Sequence, residues 1–422
     1  MSRGLTWLGG PRVATVLVAV LVALGLVPTL SRGADWLGSW KMALGAGLFG
    51  LTLIGPAASG IACAVYARFA GSGAERLVAI GPRPWWPWLR PALATWSLAA
   101  AALLAITLAT TTASWLAGSV AYPETAWVVV PALCVLAAQV AVGVLLGATG
   151  RRRWLAPVAA VATFGLGVLG AVGVIADIFR VGAITGSYAG ETFDASTYAL
   201  QAGAALGAAA GLLLLSNRTA VGGAPLPRAV VLACVLGGAG CYVAMGQGLH
   251  EFTRPVADPQ LVCRGTTVRV CLARETTRPL DDLAARMERQ AAALTDLGLD
   301  LPPRFVQPEA ARDPDPAHGV LSLLDEELAD TVSDESAARS LATPADCAAY
   351  SADIPPPEAS FDARRLLARW LLMRAGLLEP DLDDVDGAWL GAGLDEQRSW
   401  VVSTYDRLRR CDLEALRLPA GV

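Results

Sequence analysis

The first 248 residues alternate long apolar runs with short polar connections, whereas the rest of the chain mixes apolar and charged positions. A helix needs about 20 apolar residues to cross a hydrocarbon core of about 30 Å. Seven runs approach or exceed that length, and we predict that each is a membrane span. They cover residues 13–30, 42–65, 92–116, 127–146, 155–175, 197–215 and 229–246.

Beyond residue 248 the pattern is that of short strands and amphipathic helices. Alternating apolar positions over 261–272 predict a β-hairpin. Gly298 is placed to end the first of three helices. Apolar residues at helical spacing predict these helices over 281–297, 361–377 and 395–408. We therefore predict an α-helical membrane bundle over residues 1–248 and a small α+β domain over residues 249–422.

Basic residues are unevenly shared among the connections, and this sets the predicted orientation. Loops that stay in the cytoplasm carry an excess of Lys and Arg. With the N-terminus inside, the cytoplasmic segments hold Arg3, Arg12, Arg68, Arg76, Arg83, Arg90, Arg151, Arg152, Arg153, Arg218 and Arg228. The other face holds Arg32, Lys41 and Arg180. We expect a multi-pass protein of the cell membrane, N-in and C-out, with its C-terminal domain extracellular.

Acidic residues are concentrated in the second part of the chain. Thirty-one of the 37 acidic residues lie beyond Gly248, against nineteen of the 33 basic ones. The C-terminal domain is therefore strongly negative, which argues against nucleic acid as its partner. A chain with 54% hydrophobic and 17% charged residues has the composition of a membrane protein.

Lysine occurs once, as Lys41 within Gly38–Met42. A Walker-type phosphate loop needs a Lys directly after its glycines, and this segment does not match that pattern. No Asp, Glu, Lys, Arg or His lies well inside a predicted span, although ion-coupled carriers usually need such groups. Energy for transport would therefore have to come from another subunit.

The chain has eight cysteines, four in predicted spans and four in the C-terminal domain. An even number outside the membrane predicts disulfides, and four cysteines allow three pairings. We favour Cys263 with Cys271 across the hairpin and Cys347 with Cys411 between helices. The alternative is that all four are buried free thiols.

Motifs that would indicate catalysis or a metal are incomplete. His250-Glu251 resembles the start of a zinc-protease helix, but Arg254 stands where the second His is needed. His318 is the only other histidine, and we expect both to lie in solvated loops. The acidic segment 381–387 has the composition of a calcium loop without its spacing. We expect no enzymatic activity, no cofactor and no metal site.

Two patterns inside the spans bear on helix packing. Small residues at a four-residue spacing let membrane helices approach closely, although Gly-rich helices also produce such spacings by chance. The two repeats are Gly143 with Gly147, and Gly203, Gly207 and Gly211. Trp85, Trp86 and Trp88 precede the third span, where indoles are expected to anchor at the lipid headgroups.

The connection between the second and third spans, Tyr66–Arg90, is polar and basic. It carries four arginines and the single acid Glu75. Residues 75–80 can form a short helix, which Pro82 would stop. A surface helix of this kind could contact a cytoplasmic partner.

This loop resembles the coupling-helix loop of ABC-exporter permeases, which have about six spans. The whole arrangement is similar to actinobacterial ABC-permease-like membrane proteins with one further span and an extracytoplasmic domain. That domain has a Cys followed by a Val-Cys-x-x-x-Glu element. In this chain the element corresponds to Cys263, then Val270 and Cys271 through Glu275.

The resemblance implies the membrane-spanning permease subunit of an ABC exporter that pairs with a separate ATPase. The docking surface would be the coupling helix, with Glu75, Arg76, Leu77, Ile80 and Arg83. Membrane lipid is the other expected partner, and assembly as a homo- or heterodimer stays open.

An alternative of a different class is a membrane-anchored sensor or immunity protein. Its acidic outer domain would bind a ligand such as a cationic peptide. A neighbouring ATPase gene would favour the permease, whereas a neighbouring kinase or regulator would favour the sensor.

Overall fold

The structure is a computed structural model. It describes residues 10–31, 33–72, 85–175, 178–179, 188–221, 228–246, 252–256, 259–308, 315–324, 327–328, 331–347, 355–379 and 387–419.

Eight helices form the helix bundle in the described part of the first 248 residues. They are α1 (Pro11–Leu30), α2 (Trp40–Phe49), α3 (Leu51–Gly71), α4 (Trp85–Leu116), α5 (Val129–Gly150), α6 (Leu155–Ala171), α7 (Ala195–Val221) and α8 (Arg228–Met245). Only Gly50, which keeps a helical backbone, separates α2 from α3. The two together form one helical segment of 32 residues, Trp40–Gly71.

Among the described residues, five helices are long and apolar enough to cross a membrane, and α6 and α8 are shorter apolar helices. All seven predicted spans therefore coincide with helices. Large apolar side chains are exposed on the bundle, including Leu108, Val161 and Val243, at 68%, 71% and 75%. Such a surface is consistent with insertion into lipid, where apolar side chains need no cover. The number of spans and their orientation stay predictions.

Both glycine repeats lie at helix–helix contacts, which confirms the packing interpretation. A Cβ atom added at Gly143 or Gly147 of α5 would fall on the backbone of α3, at Ser59 and Cys63 respectively. A Cβ atom at Gly207 of α7 would meet Gly238 of α8. The missing side chains therefore let these backbones approach closely.

A two-stranded sheet connects the bundle to the chain that follows it. Strand β1 (Glu191–Phe193) precedes α7 and pairs antiparallel with β2 (Thr253–Pro255). Beside it, Tyr198 packs edge-on against Trp127, Phe193 and Phe252. The chain is therefore held against the bundle as it enters its last part.

Residues 259–419, here called the C-terminal module, contain a small mixed sheet with helices. Its strands are β3 (Leu261–Arg264), β4 (Val270–Ala273), β5 (Phe305–Val306) and β6 (Gly319–Val320), in that spatial order. The pair β3–β4 is antiparallel, and β5 is parallel to both of its neighbours. Its helices are α9 (Leu280–Thr295), α10 (Asp334–Leu341), α11 (Glu358–Arg374), α12 (Gly387–Leu390) and α13 (Leu394–Arg409).

The predicted hairpin and the three predicted helices are confirmed, with ends displaced by at most a few residues. Gly298 has a positive φ of 75° just after α9, as expected of a glycine that ends a helix. The module has a hydrophobic core of its own, built on residues such as Leu283, Leu367 and Val401. The predicted division between residues 248 and 249 stays a prediction.

Candidate functional site

The bundle and the C-terminal module meet at a buried ion pair between Lys41 and Glu275. Lys41 Nζ lies 2.5 Å from Glu275 Oε2. The two residues are only 5% and 7% exposed, so this pair is shielded from water. We call Lys41, Glu275 and the groups around them the junction site.

Lys41 reaches the junction from the first turn of α2. A cation at a helix N-terminus is unfavourable, because the unpaired N–H groups there already give a partial positive charge. Lys41 therefore needs compensation from outside its helix. The Glu275 carboxylate compensates the charge of Lys41, and the backbone carbonyl of Glu191 accepts a hydrogen bond from Nζ.

Glu275 lies in a short helical turn, Arg274–Thr276, directly after β4. The turn is held from the sheet side by Gln307, whose Oε1 accepts a hydrogen bond of 2.9 Å from Thr276 Oγ1. Glu275 Oε1 accepts a second bond of 2.8 Å from the backbone N–H of Gly190. Burial raises the pKa of the Glu275 carboxyl, and Lys41 and the Gly190 N–H oppose that shift.

A cavity of about 250 Å³ adjoins the pair. Lys41 Nζ lies 5.4 Å from the centre of the Tyr122 ring, within the range of a cation–π contact. Ala189 packs against Ala273 beside the cavity, with Leu261 partly buried on them. Polar and apolar contacts therefore both join the two parts of the molecule here.

The junction site can hold two parts of a protein together. No group of three His, Cys, Asp or Glu side chains that could bind a metal is found among the residues described. Removing either partner of a buried ion pair leaves the charge of the other partner uncompensated. The contact therefore depends on both Lys41 and Glu275.

His318 is part of a surface network rather than a freely solvated loop residue. Its Nε2 accepts a hydrogen bond of 2.7 Å from Arg304 Nε, and its Nδ1 lies 3.0 Å from Asp315 Oδ2. Partial burial and Arg304 lower the pKa of the His318 ring. His250, the other histidine, lies outside the described residues.

The predicted docking residues Glu75, Arg76, Leu77, Ile80 and Arg83 lie outside the described residues. The helices on either side of them are described and packed together. Trp88 of α4 lies against Tyr66 and Phe69 of α3, with ring centres 4.8 and 5.5 Å apart. The Tyr66 hydroxyl also donates to the Trp88 carbonyl.

Trp88 is 2% exposed, so the prediction that it anchors at the headgroups is wrong. The reason is this aromatic cluster, which offers the indole ring a protein environment. Trp86 faces outward, at 45% exposure, and the side chain of Trp85 lies outside the described part of the chain.

The four cysteines of the C-terminal module are at disulfide distance in the favoured pairing. Cys263 and Cys271 face each other across β3 and β4, with Sγ atoms 2.06 Å apart. Cys347 and Cys411 are joined at 2.09 Å, which ties the segment after α10 to the end of α13. The second bridge closes a separation of 64 residues.

Sequence reasoning missed the junction site, although both partners were visible. Lys41 is the one lysine of the chain, and it stands at the end of a predicted span. Glu275 is the last residue of the Val-Cys-x-x-x-Glu element. A lysine directly before a predicted span was a signal that some acid would compensate its charge.

Comparison with known proteins bears on the C-terminal module. Residues 270–411 match a family described as Domain of unknown function (DUF7224). The match begins at the first residue of β4, includes Glu275 and ends at Cys411. Searches of curated proteins and of solved structures found no match to the chain.

Proposed function

We propose that the chain is the membrane-spanning subunit of an ABC transporter, an exporter that works with a separate ATPase. In this proposal the N-terminus and the loop 73–84 are cytoplasmic, and the C-terminal module lies outside the cell. The observation that carries the proposal is the single helical segment Trp40–Gly71. The junction site lies at one end of this segment and the loop 73–84 follows the other.

This segment is suited to transmit a displacement along its length. Its 32 residues span about 48 Å at 1.5 Å per residue, enough to cross the hydrocarbon core. Much of it is buried in the bundle, including Leu44, Leu51 and Ile54. A closely packed helix moves as a unit, since its neighbours resist local bending.

The two ends of the segment are both fastened to other elements. Near the loop 73–84, Tyr66 and Phe69 hold Trp88 of the next helix, so α3 and α4 would move together. At the opposite end, Lys41 is fixed to Glu275 of the module. Closure of an ATPase under the loop would therefore displace the C-terminal module through α2 and α3.

Two properties of the sequence support a separate energy source. The arginine distribution favours a cytoplasmic loop 73–84, where an ATPase could reach it. The single lysine is engaged at the junction and lies outside any Walker pattern. ATP binding and hydrolysis would then belong to the partner.

The test is affinity purification of the full-length tagged chain from its native host, followed by mass spectrometry. We expect a P-loop ATPase to co-purify and to be lost from the variant Arg76→Ser/Arg83→Ser. The control Arg152→Ser/Arg153→Ser removes the same charge from another predicted cytoplasmic connection and should retain the ATPase. Absence of an ATPase from the wild-type complex, or its retention after residues 75–83 are replaced by a Gly/Ser linker, would contradict the proposal.

A second candidate function is the membrane sensor, with the signal running from the module to the loop. A cavity of about 550 Å³ within the C-terminal module favours it, because this volume suits a small ligand. Recovery of a kinase or transcription regulator in the same purification, in place of an ATPase, would support the sensor.

A further inference from the structure

A second cavity, within the C-terminal module, lies between α10 and α11. It is about 550 Å³, within the range of about 300–1,000 Å³ that ligand sites occupy. We call it the arginine cavity, after the side chains that line it. It is separate from the junction site, with which it shares no lining residue.

One face of α11 forms a wall of this cavity. Phe361, Arg365, Ala368 and Leu372 follow one another at spacings of three or four residues, which places them on the same side of a helix. The opposite face carries Leu367 and other residues of the module core. The wall is therefore built on a helix that the core holds in place.

The lining is strongly basic, although the module as a whole is acidic. Four arginines line it, against one acid, Glu335. They are Arg339, Arg364, Arg365 and Arg369. Like charges gathered in one cavity repel one another, and a bound anion would offset that repulsion.

Two of these guanidinium groups have buried N–H donors that remain unused. The Nε atoms of Arg339 and Arg364 are buried, and no described residue accepts a hydrogen bond from either. Leaving a buried donor unpaired is unfavourable, more so for a charged group. Burial also lowers the pKa of the Arg364 guanidinium, a further sign that a negative partner is missing.

Two contacts are described for Arg339 and Arg365, and neither uses the Nε atom of Arg339 or Arg364. Arg339 Nη2 donates to Ser336 Oγ at 2.6 Å, and Arg365 forms a surface pair of 3.3 Å with Asp362. Guanidinium groups present a planar set of donors that matches the oxygens of a phosphate or carboxylate. Several guanidinium groups on one cavity therefore suit an oxyanion.

The other lining residues are apolar and indicate the rest of the ligand. Phe361 is 54% exposed, and Leu372 and Leu378 lie on the same cavity. An exposed aromatic ring beside a charged cluster offers a surface on which an apolar group can pack. A ligand with both a charged head and an apolar part would use both features.

We propose that the arginine cavity binds a phosphate ester that carries an apolar group. The charge of the cavity favours an anion, in contrast to the cationic peptide expected from the acidic composition. A soluble phosphate ester and the headgroup region of an anionic lipid share this chemistry. The inference does not depend on the proposed ATPase partner.

The experiment uses the full-length chain in detergent, titrated calorimetrically with phenyl phosphate. Inorganic phosphate and phenol test the charged and apolar parts separately. A second arm measures retention of phosphatidylglycerol, against phosphatidylcholine, by native mass spectrometry from nanodiscs. The variants are Arg364→Gln and Arg339→Gln, and the matched control is Arg398→Gln, an exposed arginine of α13 outside the cavity.

We expect phenyl phosphate to bind, and each cavity variant to weaken it about tenfold or more, since each removes charge-assisted hydrogen bonds. Arg398→Gln should bind as the wild type does. Retention of phosphatidylglycerol alone, lost in the cavity variants, would support the same site with a lipid source.

Equal binding by the wild type and both cavity variants would overturn the proposal, as would failure of both probes to bind. Thermal unfolding of each variant shows whether it is folded. If Arg364→Gln is unfolded, Arg339→Gln decides the outcome, because Arg339 lies on the other helix.

Discussion

The helix bundle and the C-terminal module are stabilised by opposite means. In the bundle, small residues such as Gly147 and Gly207 bring helix backbones together, and apolar side chains also face outward. In the module, amphipathic helices bury one face and carry ion pairs on the other. Arg286 of α9, for example, lies 2.8 Å from Asp334 at the start of α10 and 3.0 Å from Asp282.

The difference follows from the surroundings that each part is built for. Lipid offers no hydrophobic driving force between helices, so close packing has to hold them together. Water drives apolar side chains inward and solvates a charged surface. The two parts have separate hydrophobic cores, and among the described residues they meet at the junction site. These contacts are where one part can influence the other.

The largest expected effect tests the module alone. Replacing Cys347 and Cys411 by Ser should destabilise it by about 4 kcal/mol, because the bridge closes a separation of 64 residues. The same change at Cys263 and Cys271, separated by 8 residues, should cost about 2.5 kcal/mol. Hydrogen exchange measured by mass spectrometry gives the opening free energy of each region.

In that experiment the peptides of α11 should open more easily in the first variant, and those of the bundle should not change. Equal effects of the two double variants, or loosening of the bundle as well, would contradict the separation of the two parts.

The next effect concerns the contact between the parts. Glu275→Gln keeps the size of the side chain but leaves Lys41 buried without a counter-charge, at a cost of about 3 kcal/mol. Because Lys41 is the one lysine, an amine-reactive ester can modify only this side chain and the N-terminal amine. Peptide mass spectrometry distinguishes the two. We expect Lys41 to react slowly in the wild type and much faster in Glu275→Gln.

In the matched variant Arg274→Gln, which changes the residue next to Glu275 but not the ion pair, Lys41 should react as slowly as in the wild type. Acylation of Lys41 at one rate in all three proteins would mean that the pair does not shield it.

A third prediction tests close packing in the bundle. Gly147→Ala forces α5 away from the α3 backbone and should destabilise the bundle by about 1–3 kcal/mol. Gly167→Ala is the control, because a Cβ atom there would meet no described atom within 4 Å. It should be neutral or slightly stabilising, by about 0.5 kcal/mol. The midpoint temperature of thermal unfolding in detergent distinguishes Gly147→Ala from Gly167→Ala. Equal midpoints for the two variants would be inconsistent with the close contact between α5 and α3.

The smallest effect concerns the start of α7. Asp194 Oδ2 accepts hydrogen bonds from Thr197 N at 2.9 Å and Thr197 Oγ1 at 2.7 Å. The hydrogen bond from the Ser196 hydroxyl, together with these bonds from Thr197, lowers the pKa of Asp194 to about 2. Because the pKa of Asp194 is lowered in the folded protein, its hydrogen bonds contribute their full stability above the pH range in which carboxyl groups ordinarily titrate. This contribution is lost as the pH falls towards 2.

Asp194→Ala should loosen this helix end by about 1 kcal/mol at neutral pH and should remove that part of the acid sensitivity. Asp194→Asn keeps an acceptor and should lose much less. Hydrogen exchange of the first turn of α7 between pH 5 and pH 2.5, after correction for the intrinsic rate, gives the comparison. An unchanged acid response in Asp194→Ala would refute the assignment.

Much of the fold follows from local patterns in the sequence. Apolar runs predicted seven helical segments, one of which is α2 together with α3, alternation predicted the pair β3–β4, and Gly298 marked the end of α9. These features depend on neighbouring residues, whose spacing is written in the chain. The glycine repeats also follow from local spacing, because each places small residues on one side of a helix. Only the structure identifies the helices that pack against them.

The sites depended on contacts between distant segments, which spacing cannot show. Lys41 and Glu275 meet because the turn after β4 and the first turn of α2 converge beside Gly190. Trp88 was expected at the headgroups, and tertiary packing placed it against Tyr66 and Phe69. The sequence determined the helices and the segregation of charge, because these arise from each segment's own balance between water and lipid. The tertiary structure decided which charges are paired, because that depends on which segments share a buried space.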